Sequence, residues 1–416
     1  MKKSVFSRAD ILLPKSCIPL ELWSVIACDQ FSSEPEYWER IKLAVGNTPS
    51  TLNMIIPEAY LEKIDEENEI DKISKCMEEY INDDIFREIK DSFIYIERTL
   101  SNNDVRRGLV GVVDLEEYEF SNNPDIPNSA AILASEGTVL DRLPPRIRVR
   151  KAATLELPHI MTFIADVENT VIEPLTDKVS KLPLLYDFEL LEGGGHVKGY
   201  EVSGDCAKNV EKALETLYNK NRLMNPPNCL MIMGDGNHSL AAAKTYWNEL
   251  KQNLSETEKN SHPARYALLE VNNLYDSAIQ FEAIHRVVFN VDSNKLINAL
   301  IESIPSGNDY KIQIVTSAGS KDIDVSADSV GDAIAIVQAF LDEYICIAGG
   351  SIDYIHGDDT VRKLAQENNC TGILLPTVEK SEFFNTVACS GVFPRKSFSV
   401  GHARDKRYYI ECRRII

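Results

Sequence analysis

The sequence predicts an α/β or α+β chain with mixed sheets, a strand–Gly-rich loop–helix anion site and two domains. Three observations point there. Strand-like and helix-like segments alternate along the whole length. No long structureless linker separates the halves. One unbroken apolar run, Cys229 to Met233, ends in a glycine-rich loop that opens a helix. At 416 residues the chain exceeds one ordinary core, and about 150 residues per domain gives two or three. The expected division is a first domain over 1–250 and an α/β domain over 251–416.

The elements follow in order. Trp23 to Cys28 reads as a strand ending at Asp29-Gln30. Ser32-Ser33-Glu34-Pro35-Glu36 reads as a helix start, with hydroxyl caps, a proline in the first turn and early carboxylates. Tyr37, Trp38 and Ile41 share one face of that helix. Thr51 to Ile56 is a second strand, stopped by Pro57. Residues 58–90 are charged, periodic and helical. Strands are expected at Ser92–Thr99, Gly108–Asp114 and Arg146–Arg150. Leu184–Leu191 and His196–Val202 form a hairpin around Gly193-Gly194-Gly195. Residues 206–223 are helical and Pro226-Pro227 ends that helix. Leu240 to Trp247 has strong helix propensity. Beyond a polar stretch at 252–263, strands are expected at Tyr266–Val271, Val287–Phe289, Tyr344–Ile347, Ile352–Ile355 and Thr371–Leu375. Helices are expected at Leu296–Ile304 and Ser329–Glu343.

Charge narrows the partners. Lys and Arg total 44 against 64 Asp and Glu, a net charge of −20. That disfavours broad nucleic-acid binding and adsorption to anionic membranes. A small-molecule ligand is the expected partner. Nine cysteines are scattered with no C-x-x-C, so neither a disulfide framework nor a zinc ribbon is indicated. No apolar stretch reaches the ~18 residues of a membrane helix. Met1-Lys2-Lys3 is not followed by an apolar segment, so a cytoplasmic protein is expected.

The chemistry is densest at Gly234-Asp235-Gly236-Asn237-His238-Ser239. Glycines let the backbone turn sharply, and a helix N-terminus presents N–H groups and a positive dipole end to an anion. The loop supplies a carboxylate, an amide, an imidazole and a hydroxyl. It is neither a Walker A loop nor G-x-G-x-x-G. The plainer alternative is that Asn237 or Ser239 caps the helix and His238 fills space. Arg146-x-Arg148-x-Arg150, read as a strand, places three arginines on one face, a clamp for phosphate or carboxylate or else a solvated edge. His285-Arg286 sits at an expected strand boundary. Pro394-Arg395-Lys396-Ser397 is a basic turn, and His356-Gly357-Asp358-Asp359 a weaker candidate. Asp29, after the first strand, is placed for a base or a magnesium ligand. H-E-x-x-H and G-x-S-x-G are absent.

Together these segments resemble a bacterial and archaeal family known only as domain of unknown function 1015. The resemblance rests on Val25 to Phe31, Glu34 to Trp38, Arg146 to Lys151, Gly193 to His196, Gly234 to Ser239, His285-Arg286, His356-Gly357 and Pro394 to Ser397. It spans nearly the whole chain and implies no established activity. Many members read Asp-Gly-His-His-Arg at the central loop. Here Asp235, Gly236 and His238 match, while Asn237 and Ser239 depart. A more distant similarity is to the nucleotide-binding box of the ParB and sulfiredoxin superfamily. It would make residues 1–60 plus 226–250 a core, with 61–225 inserted.

The functional expectation is a nucleotide- or phosphate-binding protein that transfers a phosphoryl group to a small acceptor such as an amino acid. Asp29, Asp235 and His238 are the expected catalytic residues. Asp29 and Asp235 are the expected ligands of Mg²⁺, which accompanies a nucleoside di- or triphosphate. Gly234, Gly236, Asn237, Ser239, Arg148, Arg150, His285, Arg286, Arg395 and Lys396 are the expected phosphate-binding set. One alternative is a sensor that binds a phosphorylated metabolite without turnover. Another is reductive repair through Cys28.

Overall fold

The computed structural model describes residues 4–120, 130–224, 229–367 and 369–416. Pro226 and Pro227, read above as a helix stop, lie outside them. The chain opens with β1 (Phe6–Ser7), β2 (Ala9–Pro14), the short α1 (Leu20–Trp23), α2 (Pro35–Val45) and α3 (Glu66–Asn82). α2 begins as expected, with Pro35 in its first turn and Tyr37, Trp38 and Ile41 buried. The two strands expected near it do not form. Trp23 ends α1, Ile26 makes one bridge to Tyr408, and Thr51–Met54 is a 3-10 turn capped by Ser50. Val25 and Ile26 are fully buried by packing, without strand neighbours on both sides. A short apolar run signals burial and does not by itself signal a sheet.

The middle of the chain supplies β3 (Phe86–Thr99), β4 (Val105–Asp114), β5 (Tyr118–Glu119), β6 (Ile132–Leu133), α4 (Leu143–Ala152), β7 (Leu155–Glu156), β8 (Met161–Ile164), β9 (Leu184–Glu189) and β10 (His196–Val202). Then come α5 (Gly204–Arg222), β11 (Met231–Asp235), α6 (Asn237–Leu250), α7 (Glu256–Ser261) and β12 (Tyr266–Asn273). Residues 146–150 belong to the helix α4 and not to a strand. Pro144 and Pro145 favour its first turn, where no N–H is needed.

Among the described residues these strands, β7 excepted, form an eleven-stranded sheet in the order β5-β6-β11-β8-β12-β4-β3-β10-β9, with β1 on β4 and β2 on β3. It is mixed: β11 runs parallel to β6 and antiparallel to β8, and β12 runs parallel to β8. β9 and β10 pair as the expected hairpin. β11 therefore has β6 and β8 as neighbours, and the strands of the first sixty residues lie elsewhere, on β3 and β4. The core anticipated from residues 1–60 and 226–250 does not assemble as one strand set.

The second sheet holds β13 (Phe281–Phe289), β14 (Tyr310–Thr316), β15 (Gly319–Val325), β16 (Ser351–His356), β17 (Cys370–Leu374) and β18 (Phe398–Val400). Its order is β15-β14-β17-β13-β16, with β18 on β13. α8 (Ser293–Ser303), α9 (Val330–Ala348), α10 (Asp358–Leu364) and α11 (Lys380–Cys389) connect and cover it. Tyr344–Ile347, expected as a strand, continues α9, because no turn residue intervenes before Gly349.

Sheet membership does not follow a division at residue 250. β12 lies in the first sheet, and the C-terminal segment returns to the first half of the chain: β19 (Arg413–Arg414) pairs β7 in a separate two-stranded sheet, Cys412 bridges Leu12 of β2, and Tyr408 bridges Ile26. The sheets also share a core. Phe163 of β8 meets Phe281 at 5.9 Å and Phe383 at 6.0 Å, between ring centroids, in edge-to-face contacts. Among the described residues no helix is long and apolar enough to cross a membrane.

Candidate functional site

The β11–α6 junction lies where the two sheets meet. Met231, Ile232 and Met233 are fully buried. A Cβ on Gly234 would come 2.5 Å from the Phe163 ring, so the strand passes that ring only as glycine. Gly236 has φ +80° and caps α6 without a side chain. Both glycines thus have packing and backbone reasons independent of any ligand.

Asn237 and His238 reach away from the helix and hold the segment after β6. Asn237 Oδ1 accepts from the Ser135 N–H at 3.2 Å, and its Nδ2 donates to Ser135 Oγ at 3.1 Å. His238 Nε2 accepts from the Val139 N–H at 3.2 Å. The other side of the segment is tied to the second half of the chain. Phe393 N–H donates to Ser135 O at 2.8 Å, and Gly137 N–H to Phe393 O at 3.1 Å. Glu136 is the residue so presented. Its carboxylate accepts from the Ser397 N–H at 3.1 Å and also from the Lys396 N–H. Burial pushes the Glu136 carboxyl up to about 7, helped by the charge of Asp235 and opposed by the two amides and Lys406.

Asp235 titrates in the other direction. Its Oδ1 accepts from the Gly236 N–H at 2.8 Å, and its Oδ2 lies 3.1 Å from Lys406 Nζ. Burial opposes its ionisation, but Lys406 and then His159 hold it below the ordinary carboxylate value. Two neighbouring carboxyls with oppositely shifted pKa values are the pattern of an acid–base site. His159 adds a hydrogen-bond chain. Its Nε2 lies 3.3 Å from Ser239 Oγ and its Nδ1 2.9 Å from Tyr409 OH, which accepts from the Cys28 N–H at 3.3 Å. His356, at the end of β16, has its pKa lowered first by burial and then by the charge of Lys406, with Glu282 opposing.

The expected arginines are mostly engaged elsewhere. On a helix, Arg146 and Arg150 share a face while Arg148 points away. Arg146 pairs with Glu58, Arg148 with Glu66 at 2.5 Å, and Arg150 with Glu156 at 2.9 Å. The one-face clamp is therefore corrected: three carboxylates at three places neutralise it. His285 and Arg286 lie inside β13, not at its boundary. His285 Nε2 meets Asp358 at 2.8 Å and Nδ1 accepts from the Leu375 N–H at 3.1 Å. Arg286 is fully buried, donates to Gln338 at 2.7 Å and to the carbonyls of Ile284 and Lys396, and stacks 4.5 Å from the Tyr354 centroid. Arg395, half exposed, lies 3.9 Å from Asp342, and Lys396 Nζ lies 5.3 Å from the Tyr354 centroid. The Lys396 backbone, more than its side chain, belongs to the Glu136 environment.

Asp29 accepts from the Gln30 side chain at 3.0 Å and lies against Cys28 and Tyr409, on the far side of the His159 chain. It is not among the charges acting most strongly on Asp235. Among the described residues no three His, Cys, Asp or Glu side chains gather as a metal site. Asp235 already has Lys406 as its counter-ion, so the donor set does not fit a resident metal. Burial, with Asp29, pushes the Cys28 thiol up to about 12, which removes the thiolate that reductive repair would need.

Glu136, His159, Lys406 and Tyr409 escape sequence reasoning. Glu136 had a signal, a carboxylate followed by glycine at the end of the apolar run Ala130–Ala134. His159 stands just before β8. Lys406 had none, because its partner is Asp235 and only the fold joins them.

The chain belongs to the family of proteins of unknown function designated DUF1015, whose model matches residues 12–350. A comparison with curated proteins found no match. Among solved structures, a free serine kinase in complex with AMP is similar at 10% identity and TM-score 0.38, covering 72% of this chain and 90% of that one. SbnI with a C-terminal truncation, from Staphylococcus aureus, is similar at 8% identity and TM-score 0.37, covering 70% and 82%. A conserved hypothetical protein from Pyrococcus furiosus is similar at 11% identity and TM-score 0.35, covering 70% and 90%. At these TM-scores the likenesses carry no argument.

Proposed function

We propose that this chain binds a nucleotide, or another phosphorylated small molecule, at the N-terminus of α6 and transfers a phosphoryl group to a small hydroxyl-bearing acceptor such as an amino acid. One observation carries the reading. At a helix N-terminus, the Asp235–Lys406 pair stands within electrostatic reach of Glu136, whose carboxyl is held up at about 7.

The roles follow from the chemistry. Phosphoryl transfer needs positive charge around the phosphate, an oriented acceptor and a group to take the acceptor's proton. The helix terminus and Lys406 supply positive charge. Asp235 fixes Lys406. Glu136, with a pKa near the working pH, is the general base for the acceptor hydroxyl, since proton transfer is most effective at that match. Asn237 and His238 are positioning residues that hold the Glu136 segment. Mg²⁺ enters as part of the Mg–nucleotide substrate.

The test is nucleotide consumption. Purified protein is incubated with Mg–ATP or Mg–ADP and a panel of hydroxyl acceptors including free amino acids, and products are followed by phosphorus NMR. Glu136→Gln is expected to lose at least ~100-fold in turnover with nucleotide affinity retained. Full turnover by Glu136→Gln would remove it as the base. Binding by the wild type without consumption under any acceptor would leave a sensor.

A further inference from the structure

A cavity of about 190 Å³ runs along α6 beside the proposed phosphate site. Ser239, in the first turn of α6, and Ala242, one turn on, both line it. At 1.5 Å rise per residue they span ~4.5 Å of its wall. Most of the lining is apolar, with Met54, Met77, Val149, Leu157 and Leu268 among it. Its polar edge is the chain Ser239–His159–Tyr409, in which His159 and Tyr409 are buried and held by hydrogen bonds. The Glu58–Arg146 pair and Leu61, all partly exposed, also line it.

Resting on the nucleotide reading above, we propose that this cavity is the nucleobase site, taking a purine whose phosphates lie at the N-terminus of α6. Size fits. An apolar cavity of about 150 Å³ takes up benzene, and this one is somewhat larger. Surface chemistry fits too. A flat heterocycle buries apolar faces against aliphatic and thioether side chains, for which methionine sulfur is well suited. Its polar rim can meet the hydroxyl and imidazole groups of Ser239, His159 and Tyr409, and the charged side chains of Glu58, Arg146, Arg150 and Glu156 also line the cavity. The acceptor belongs on the Glu136 side of the helix terminus, where the proposed base stands. His159 connects the two places, since it touches Ser239 at the cavity and also acts on Asp235 at the phosphate site.

The test compares three ligands by calorimetry: Mg–ATP, Mg–tripolyphosphate and adenosine. Two variants narrow the cavity from partly exposed positions, Leu61→Trp and Val149→Phe. A melting curve selects those that fold, and either suffices. The expected result is a tenfold or greater loss of Mg–ATP affinity, loss of adenosine binding, and unchanged Mg–tripolyphosphate affinity. Unchanged Mg–ATP affinity in a folded variant would place the base elsewhere and leave the phosphate reading intact. Failure of the wild type to bind either Mg–ATP or Mg–tripolyphosphate would overturn the phosphate reading and this inference with it.

Discussion

Lys406 and Arg407 are adjacent in the chain, yet they enter two different buried ionic clusters. Arg407 donates from Nε to Glu270 at 2.8 Å, from Nη2 to Glu411 at 2.7 Å and from Nη1 to the Pro158 carbonyl at 2.6 Å. Glu411 also accepts from Tyr186 OH at 2.5 Å. Burial works against the Arg407 charge, but Glu411 and Glu270 hold its pKa raised. Lys406 has one carboxylate partner, Asp235, beside a Glu136 that favours its proton. Both clusters close the C-terminal segment onto the first sheet. The difference is in the number of partners: Arg407 has two carboxylates and a carbonyl, and Lys406 has one carboxylate. A cation held by several buried partners is fixed in one geometry. A singly paired cation beside a carboxyl of raised pKa keeps a donor and a titratable proton for a ligand.

That contrast can be broken by mutation. Arg407→Ala should cost most, about 3–5 kcal/mol by denaturant unfolding, because it leaves two buried carboxylates without their partner. Lys406→Met should instead cost about 2 kcal/mol of Mg–ATP binding, near 30-fold, with a smaller loss of stability than Arg407→Ala. Equal destabilisation by both, with binding untouched, would make the clusters equivalent.

Glu136→Gln sharpens the contrast through pH. A carboxyl raised from 4.5 to about 7 holds a proton in the folded protein that the unfolded chain has lost. Wild-type stability should therefore fall as pH rises through that window, and the whole penalty is present above pH ~7. Glutamine does not titrate, so the variant should gain about 2 kcal/mol relative to wild type at pH 8, after allowance for partial exposure, and nothing at pH 4. A pH-independent difference between the two melting curves would contradict the raised carboxyl. Smallest of these effects, Gly236→Ala should cost roughly 1–2 kcal/mol, since φ +80° disfavours any Cβ. A neutral result would show that the loop relaxes.

The sequence carried the β11–Gly loop–α6 junction, the first turn of α2 and the β9–β10 hairpin, because each is local: turn glycines, a proline in a first turn, an uninterrupted apolar run. It misled where burial and sheet pairing part company, as at Val25 and Ile26, and where a two-residue charge alternation sat on the helix α4. The candidate site was half legible. Asp235 and Asn237 were visible as loop residues. Lys406 and the Tyr409 end of the His159 chain come from a C-terminal segment whose place is set by long-range packing, which no local pattern encodes.

The most direct measurement is a calorimetric titration of Mg–ATP into wild type, Lys406→Met and Arg148→Gln. With the phosphates at α6 and Arg148 held in its pair with Glu66, Lys406→Met is expected to weaken binding about 30-fold and Arg148→Gln to bind as wild type does. Binding lost in Arg148→Gln and kept in Lys406→Met would contradict that placement.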